Sequence, residues 1–442
     1  MLTAITLDNF KSYRNATLPL SSLTILMGAN ASGKSNAIEG IRLLSWLAQK
    51  QKLASTAYAV QSNDRMIRGK VEDLVYANGR TFSLGCETEG TEWHRLRMKI
   101  ELRDDGLHII EEEMTRSNSV VPLYSLDHPS TDRSTDVGVA YDNFARGGKK
   151  PHLTCSDQMA IFTQLTSPAT FDASHKISRQ TIPQVTKKYE RWLTAILFID
   201  PAPARMRGYS FPSDKVLQGD GSNLSAVLYN LWGTDADTEA GRFKEQRDEI
   251  LNFIKSLPEQ DIADISFLHE PRGGVMLKLT ETFGNHRREY DASVLSDGTL
   301  RVLSIAAAML SAEEGSLVII EEIDNGVHPS RACHLMESIR KISERRQLRV
   351  LFSTHNPALL DALPDEALPD VVFCYRDPDD GSSRLVKLEN VPEYPELVAQ
   401  GSLGQLVTTG TLERFVKQPG TGKDRQVKAK EWLENIRQGI GR

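Results

Sequence analysis

The chain has 442 residues, 40% hydrophobic and 25% charged, which is ordinary for a globular protein with room for two or three packed units. Its formal net charge of −6 excludes a protein that coats nucleic acid by charge alone and leaves only a local basic patch for that role. Cys86, Cys155, Cys333 and Cys374 show no CxxC and no metal-ligand spacing, no stretch reaches the roughly 18–20 apolar residues of a membrane span, and the N-terminus has no signal-peptide core, so a cytoplasmic protein with reduced thiols and no membrane contact is expected.

The segments AITLDNF and LTILMG read as strands, the second almost wholly apolar. A helix is predicted over residues 34 to about 49, with Ile38, Ile41, Leu44 and Leu47 on one face. From TFSLGCE to LHIIEEEMTR, short alternating segments predict an antiparallel meander. Regularity then falls. HPSTDRSTD and ARGGKKP read as loops, IPQVTKKYERWLTAILFID and GRFKEQRDEILNFIKSL as helices, and eight prolines between Pro122 and Pro212 exclude a long coiled coil. From Ile262 the pattern sharpens into the strand pair ISFLHEP and GVMLKLT, a helix opened by LSDGT, the strand SLVIIEE, the helix SRACHLMESIRKISERR, the strand LRVLFSTH, the short helix PALLDALP and the hairpin DVVFCYRDPDDGSSRLVKLEN. Strand–helix–strand alternation with apolar runs predicts an α/β fold with a sheet covered on both faces. Four parts are expected: residues 1–115 and 261–380 as two lobes of one α/β unit, the first including an antiparallel β lobe; 116–260 as a globular, mainly helical insertion; and 381–442 as the hairpin end and a basic tail.

GANASGKS, residues 28–35, matches G-x-x-x-x-G-K-[ST] in full, and it follows an apolar strand and opens an amphipathic helix, as the mechanism of a phosphate loop requires. Gly28, Asn30, Ala31, Ser32 and Gly33 would turn backbone N–H groups around the phosphates of ATP, Lys34 would reach the β- and γ-phosphates, and the Ser35 hydroxyl would bind Mg²⁺. In LVIIEEIDNGVHP an apolar strand delivers Glu321 and Glu322 at its C-terminal end, where ligands of parallel sheets collect. One carboxylate is needed near the metal and the next can activate the attacking water. VLFSTHN ends a further strand with His355, placed to sense a γ-phosphate. Small polar residues opening the helix of LSDGTLRVLSIAAAML look like a cap for a second anion.

In this order, residues 28–35, 295–299, 317–322, DNGVHP and His355 resemble the ABC-type ATPase head, and more narrowly the branch of RecF and SMC heads and the OLD-type (overcoming lysogenization defect) ATPases. LTAITLDNFKSY resembles that branch's N-terminal motif, which implies that Lys11 and Ser12 lie near the nucleotide. DPAPARMRGYS, GDGSNLSAVLYNL, SDGTLRVLSIAAAML and FSTHNPALLDAL resemble compact bacterial OLD-like ATPases, including the ATPase subunit of Septu-type anti-phage systems.

The resemblance implies that two heads dock head-to-tail, as a dimer or a higher oligomer. Ser296, Asp297, Gly298 and Thr299 would then face the γ-phosphate held by the other copy, and Asn325, Gly326 and His328 would form the bridging D-loop. LSDGT departs from the usual LSGGQ, and the aspartate implies slow turnover. Glu321 stands where many relatives have aspartate, and Asp324 where the OLD-like pattern has glutamate. The resemblance does not assign the glutamine that links nucleotide to insertion; Gln61, Gln158 and Gln164 are all candidates.

RecF- and SMC-type machines carry long arms, and OLD nucleases continue into a Toprim domain. Fewer than ninety residues follow His355, and Asp377, Asp379 and Asp380 read as a hairpin turn, so no nuclease domain is expected here. The expected function is an ATPase subunit that senses nucleotide and regulates a separate effector, a nuclease, in anti-phage defence. The alternative is a RecF-like repair ATPase that binds DNA.

Overall fold

The first three strands divide between two sheets. The computed structural model describes residues 1–56, 67–117, 119–131, 134–233, 241–254, 262–323, 329–363, 365–391 and 394–417. Strands β1 (Leu2–Phe10) and β2 (Tyr13–Pro19) pair as an antiparallel hairpin, and the chain then leaves for a second sheet with β3 (Leu23–Met27), whose five residues are all buried. Helix α1 (Lys34–Ala48) follows the phosphate-loop sequence. The meander β4 (Thr81–Thr88), β5 (Arg95–Arg103) and β6 (Gly106–Thr115) adds to β1 as expected.

That sheet continues beyond the expected meander. Strands β7 (Tyr124–His128), β8 (Asp136–Tyr141) and β9 (His152–Ser156) bring it to eight, in the order β2-β1-β4-β5-β6-β7-β8-β9. The alternation is present in DVGVAY, where Val137, Val139 and Tyr141 are buried, but each run is short and broken by turns, so it does not stand out in the sequence. Helix α2 (Lys176–Thr194) ends earlier than its sequence pattern suggests. Leu197, Phe198 and Ile199 instead form β10 (Leu197–Ile199), which pairs parallel with Val318, Ile319 and Ile320. Tertiary pairing overrides the helical continuation there.

Helices α3 (Leu224–Trp232) and α4 (Gly241–Ile254) precede a three-stranded antiparallel sheet of β11 (Ile262–His269), β12 (Val275–Phe283) and β13 (His286–Asp291). Then come α5 (Asp297–Ser311), β14 (Leu317–Ile320), α6 (Pro329–Arg346), β15 (Arg349–Thr354), β16 (Val371–Arg376) and β17 (Ser383–Lys387). The central sheet has the order β10-β14-β15-β3-β16-β17 and is parallel except for the last pair. It is buried on both faces. Ile25, Val318, Ile320, Val350 and Phe352 pack into one core with α3 to α6, while Leu26, Leu317, Ile319 and Leu351 pack into the other with α1, α2 and the eight-stranded sheet. The result is a mixed α/β fold with a helix-flanked central sheet and an antiparallel β lobe. Among the described residues, no helix is long and apolar enough to cross a membrane.

One buried carboxylate ties the lobe together. Glu112 on β6 accepts the backbone N–H groups of Ile161 and Phe162, each at 2.7 Å, and the Tyr124 hydroxyl at 2.7 Å. Burial pushes its carboxyl up from the ordinary 4.5 to about 7, against those three donors. Between these values the folded chain holds a proton that the unfolded chain has released. Glu112 therefore contributes most to stability below about 4.5, and the contribution is lost as pH rises through about 7. Glu112→Gln places an amide against a backbone donor and should cost about 1–3 kcal/mol. Urea denaturation should show that loss, with a flatter stability profile between pH 5 and 8 than the parent chain; an unchanged midpoint and profile would refute the assignment.

Candidate active site

Strand β3 delivers the loop of residues 28–35 to the C-terminal edge of the central sheet, and two glycines let it lie flat against its neighbours. Gly33 sits at φ +124°, which L side chains rarely adopt, and a Cβ there would collide with the Ser383 side chain. A Cβ on Gly28 would collide with the Cys374 carbonyl oxygen. Side chains from three strands, β2, β16 and β17, brace the loop. The Tyr13 hydroxyl donates to the Gly33 carbonyl at 3.1 Å, the Ser383 hydroxyl to the Ser32 carbonyl at 2.6 Å, and the Arg376 guanidinium to the Ala31 carbonyl at 3.0 Å. Lys34 Nζ reaches back to the Gly28 and Ala29 carbonyls at 2.6 and 3.0 Å. Helix α1 starts at Gly33 with no side-chain cap and no acidic residue in its first turn, which leaves its positive end facing the cleft.

The carboxylates arrive from β14. The Glu321 N–H donates to the Ile199 carbonyl at 2.9 Å, extending the β10–β14 ladder, and its carboxylate accepts from Arg42 Nη2 of α1 at 2.7 Å. Burial pushes the Glu321 carboxyl up; the Asp200 charge adds to that and the Arg42 guanidinium opposes it. Glu322 adopts φ 49°, a left-handed conformation at the strand end, where its N–H donates to Ser353 Oγ on β15 at 3.1 Å. His355 follows β15. One cleft is thus lined by residues 30–36, by Glu321, Glu322, Ser353, Thr354 and His355, and by Arg68 and Arg376.

Asn30, Ala31, Ser32, Gly33, Lys34, Ser35, Glu321, Glu322 and His355 therefore converge as the sequence suggested, with Gly28 at the root of the loop. Lys11 and Ser12 do not line the cleft. Lys11 Nζ is paired with Glu39 and donates to the Arg68 carbonyl at 2.7 Å, while Ser12 Oγ accepts from Asn36 Nδ2 at 2.7 Å and lies 2.8 Å from Ser383 Oγ. Ser12 thus supports the loop through Ser383, while Lys11 ties the β1–β2 turn to α1 and to the Arg68 backbone. Gln158 and Gln164 are also away from the cleft. Gln158 donates to the Leu107 carbonyl, and Gln164 exchanges bonds with the Ser156 backbone in the β lobe. Gln61, Asp324, Asn325, Gly326, His328 and the tail from residue 418 lie outside the described residues.

Ser296 caps α5, accepting the Thr299 N–H at 3.1 Å, and Asp297 is paired with Arg207 at 2.8 Å. This loop, including Gly298, does not line the cleft of its own chain. Asp377 and Asp380 pair with Arg384 within the β16–β17 hairpin, as a turn requires. Arg42, Arg68, Asn36, Ser353 and Arg376 carry no motif spacing; only Asn36, directly after the loop, had a positional signal.

Residues 1–116 match a family model described as an AAA ATPase domain, and residues 176–361 match one described as an AAA domain, putative AbiEii toxin, type IV toxin–antitoxin system. The chain carries an AAA-type ATPase domain. Nucleotide binding and hydrolysis are the activities such a domain supports. No curated protein matches the chain. Among solved structures it is similar to an SMC head bound to the C-terminal winged-helix domain of ScpA, at 13% identity over 87% of this chain and 97% of that one, with a TM-score of 0.45. It is also similar to an SMC head with an extended coiled coil bound to the C-terminal domain of ScpA from Pyrococcus furiosus (13% identity, 90% and 98% covered, TM-score 0.42) and to the SMC head domain from Thermotoga maritima (15%, 87% and 98%, 0.39).

A side chain at Gly33 must adopt a conformation costing about 1–3 kcal/mol and displace Ser383, so Gly33→Ala should weaken binding of a fluorescent ATP analogue by about tenfold or more. Parental affinity in that titration would refute the part given to the loop.

Proposed function

We propose that the cleft binds MgATP and hydrolyses it slowly when two copies of the chain dock head-to-tail. The observation that carries the reading is the meeting of the 28–35 loop, two strand-end carboxylates and His355 in one cleft. Lys34 and Ser35 take the triphosphate and Mg²⁺, with Glu321 helping to hold the metal. Glu322 orients and deprotonates the attacking water, and His355 senses the γ-phosphate. The Arg42–Glu321 ion pair supports this assignment, since it favours the ionised carboxylate that Mg²⁺ needs. Ser296, Gly298 and Thr299 open α5 toward the other copy's γ-phosphate. Arg207 offsets the negative charge of Asp297, which otherwise disfavours a triphosphate there. Asn325, Gly326 and His328 complete the bridge between copies.

In this reading ATP-driven pairing licenses a separate effector, a nuclease, in anti-phage defence. The similarity of residues 176–361 to a family described as a putative toxin of a type IV toxin–antitoxin system lends support to that reading. A second reading, a RecF-like ATPase that binds DNA, is favoured by the exposed tip of the β12–β13 hairpin, His286, Arg287 and Arg288.

Lys34→Ala should abolish nucleotide binding by isothermal titration. Glu322→Gln should accumulate an ATP-bound dimer, weighed by light scattering; normal turnover by that variant would remove Glu322 from its role. Ser296→Arg should abolish hydrolysis while the monomer still folds, with a melting temperature lowered only by loss of the α5 cap, about 0.5–2 kcal/mol, and full activity would remove the paired-site arrangement. Purified from its own operon, the chain should bring a nuclease in fixed ratio. A bare dimer that forms only with ATP, and whose hydrolysis DNA stimulates, would instead establish the second reading.

A further inference from the structure

The far edge of the eight-stranded sheet holds a group of side chains that the triphosphate chemistry does not use. Asp127 and His128 end β7, and His152 opens the edge strand β9. Asp127 Oδ1 lies 2.8 Å from His128 Nδ1, and Asp127 Oδ2 lies 2.8 Å from His152 Nε2. The two imidazoles stand edge-on, with centroids 5.1 Å apart. One ligand atom from each of the three residues falls within 4.8 Å of the others. No lysine or arginine among the described residues is paired with Asp127.

Two backbone features build this group. Along a regular strand, residues 127 and 128 would point to opposite faces. The β7–β8 register shifts between Leu126, opposite Val139, and His128, opposite Gly138, so two residues of β7 face one step of β8. Such a bulge re-aims side chains, and here it lets Asp127 and His128 reach the same spot. Gly138 lies on the strand between β7 and β9, and a Cβ there would stand 2.9 Å from His128 Cβ and 3.1 Å from His128 Nδ1. Glycine weakens a strand and marks a close approach. At this place it leaves room for the His128 ring to lie across β8 toward His152.

We propose that Asp127, His128 and His152 bind a divalent transition-metal ion, zinc in particular, at this edge of the sheet and away from the nucleotide cleft. Two imidazoles and a carboxylate form a nitrogen and oxygen donor set suited to zinc, with water as the fourth ligand. Tetrahedral zinc with bonds near 2.0 Å sets its donors about 3.3 Å apart, which small side-chain rotations from the present spacing achieve. Mg²⁺ prefers oxygen donors in an octahedron, so the ion of the nucleotide cleft does not compete here. The ligands are exposed, so the ion exchanges with solvent rather than being locked in a core. The bound ion clamps β7 to β9 across β8.

The test uses the full chain, stripped with chelator and titrated with zinc chloride in the presence of excess Mg²⁺. One zinc per chain is expected, and the melting temperature should rise with zinc. Loss of an outer-shell partner alone commonly weakens a metal about 10–100-fold, so His128→Ala and His152→Ala should each weaken zinc at least tenfold. Cobalt(II) should give visible absorption bands in the parent chain that both variants lose. In the unaltered chain, zinc should also protect His128 and His152 from acylation by diethyl pyrocarbonate, a readout that does not depend on any variant folding. Equal acylation with and without zinc, or undiminished zinc binding by His152→Ala, would overturn the proposal.

Discussion

The space beneath the phosphate loop is the constraint on which the rest of the head depends. Strand β3 runs between β15 and β16, so the loop leaving it passes directly over the β16–β17 hairpin. There is no room for a Cβ at Gly28 or Gly33, and the carbonyls of Ala31, Ser32 and Gly33 are each held by a side-chain donor. Holding these carbonyls fixes the backbone of the loop, and a fixed backbone is the preorganisation that anion binding by main-chain N–H groups needs. A hairpin formed more than three hundred residues later in the chain therefore shapes the site as much as the glycines do.

Electrostatics in the cleft are tuned by opposition. Burial and Asp200 push the Glu321 carboxyl up, and Arg42 pulls against them without cancelling the rise. Because Arg42 lies on α1, whose N-terminus forms the phosphate loop, the anion-binding and cation-binding sides of the cleft share one rigid element. A shift of α1 on nucleotide binding would move Arg42 with it and alter the hold on Glu321.

The parallel core was legible because apolar runs such as LTILM and SLVII, set between helices, admit few alternatives. The loop and the carboxylates were legible because their chemistry demands fixed spacing. What escaped sequence reasoning had weaker signals. The strands β7 to β9 are short and separated by polar turns, and β10 continues an amphipathic helix without a glycine or proline to mark the break. Lys11 and Ser12 were placed near the nucleotide by resemblance, yet their side chains are consumed by Glu39, Asn36 and Ser383, which no local pattern reveals. Arg42 and Arg376 reach the site from a helix face and a hairpin, positions where an arginine is ordinarily solvated.

The two-faced burial of the central sheet has a further consequence. Neighbouring residues in β14 and β15 belong to different cores: Ile319 to one and Ile320 to the other, Leu351 to one and Phe352 to the other. The sheet is therefore a shared wall. Each residue in it is fitted to one compartment while its backbone is anchored in both, so a volume change on one side presses on the packing of the other. Divergence along these strands should proceed by paired exchanges across the wall, leaving the helices on either side to drift more freely in sequence.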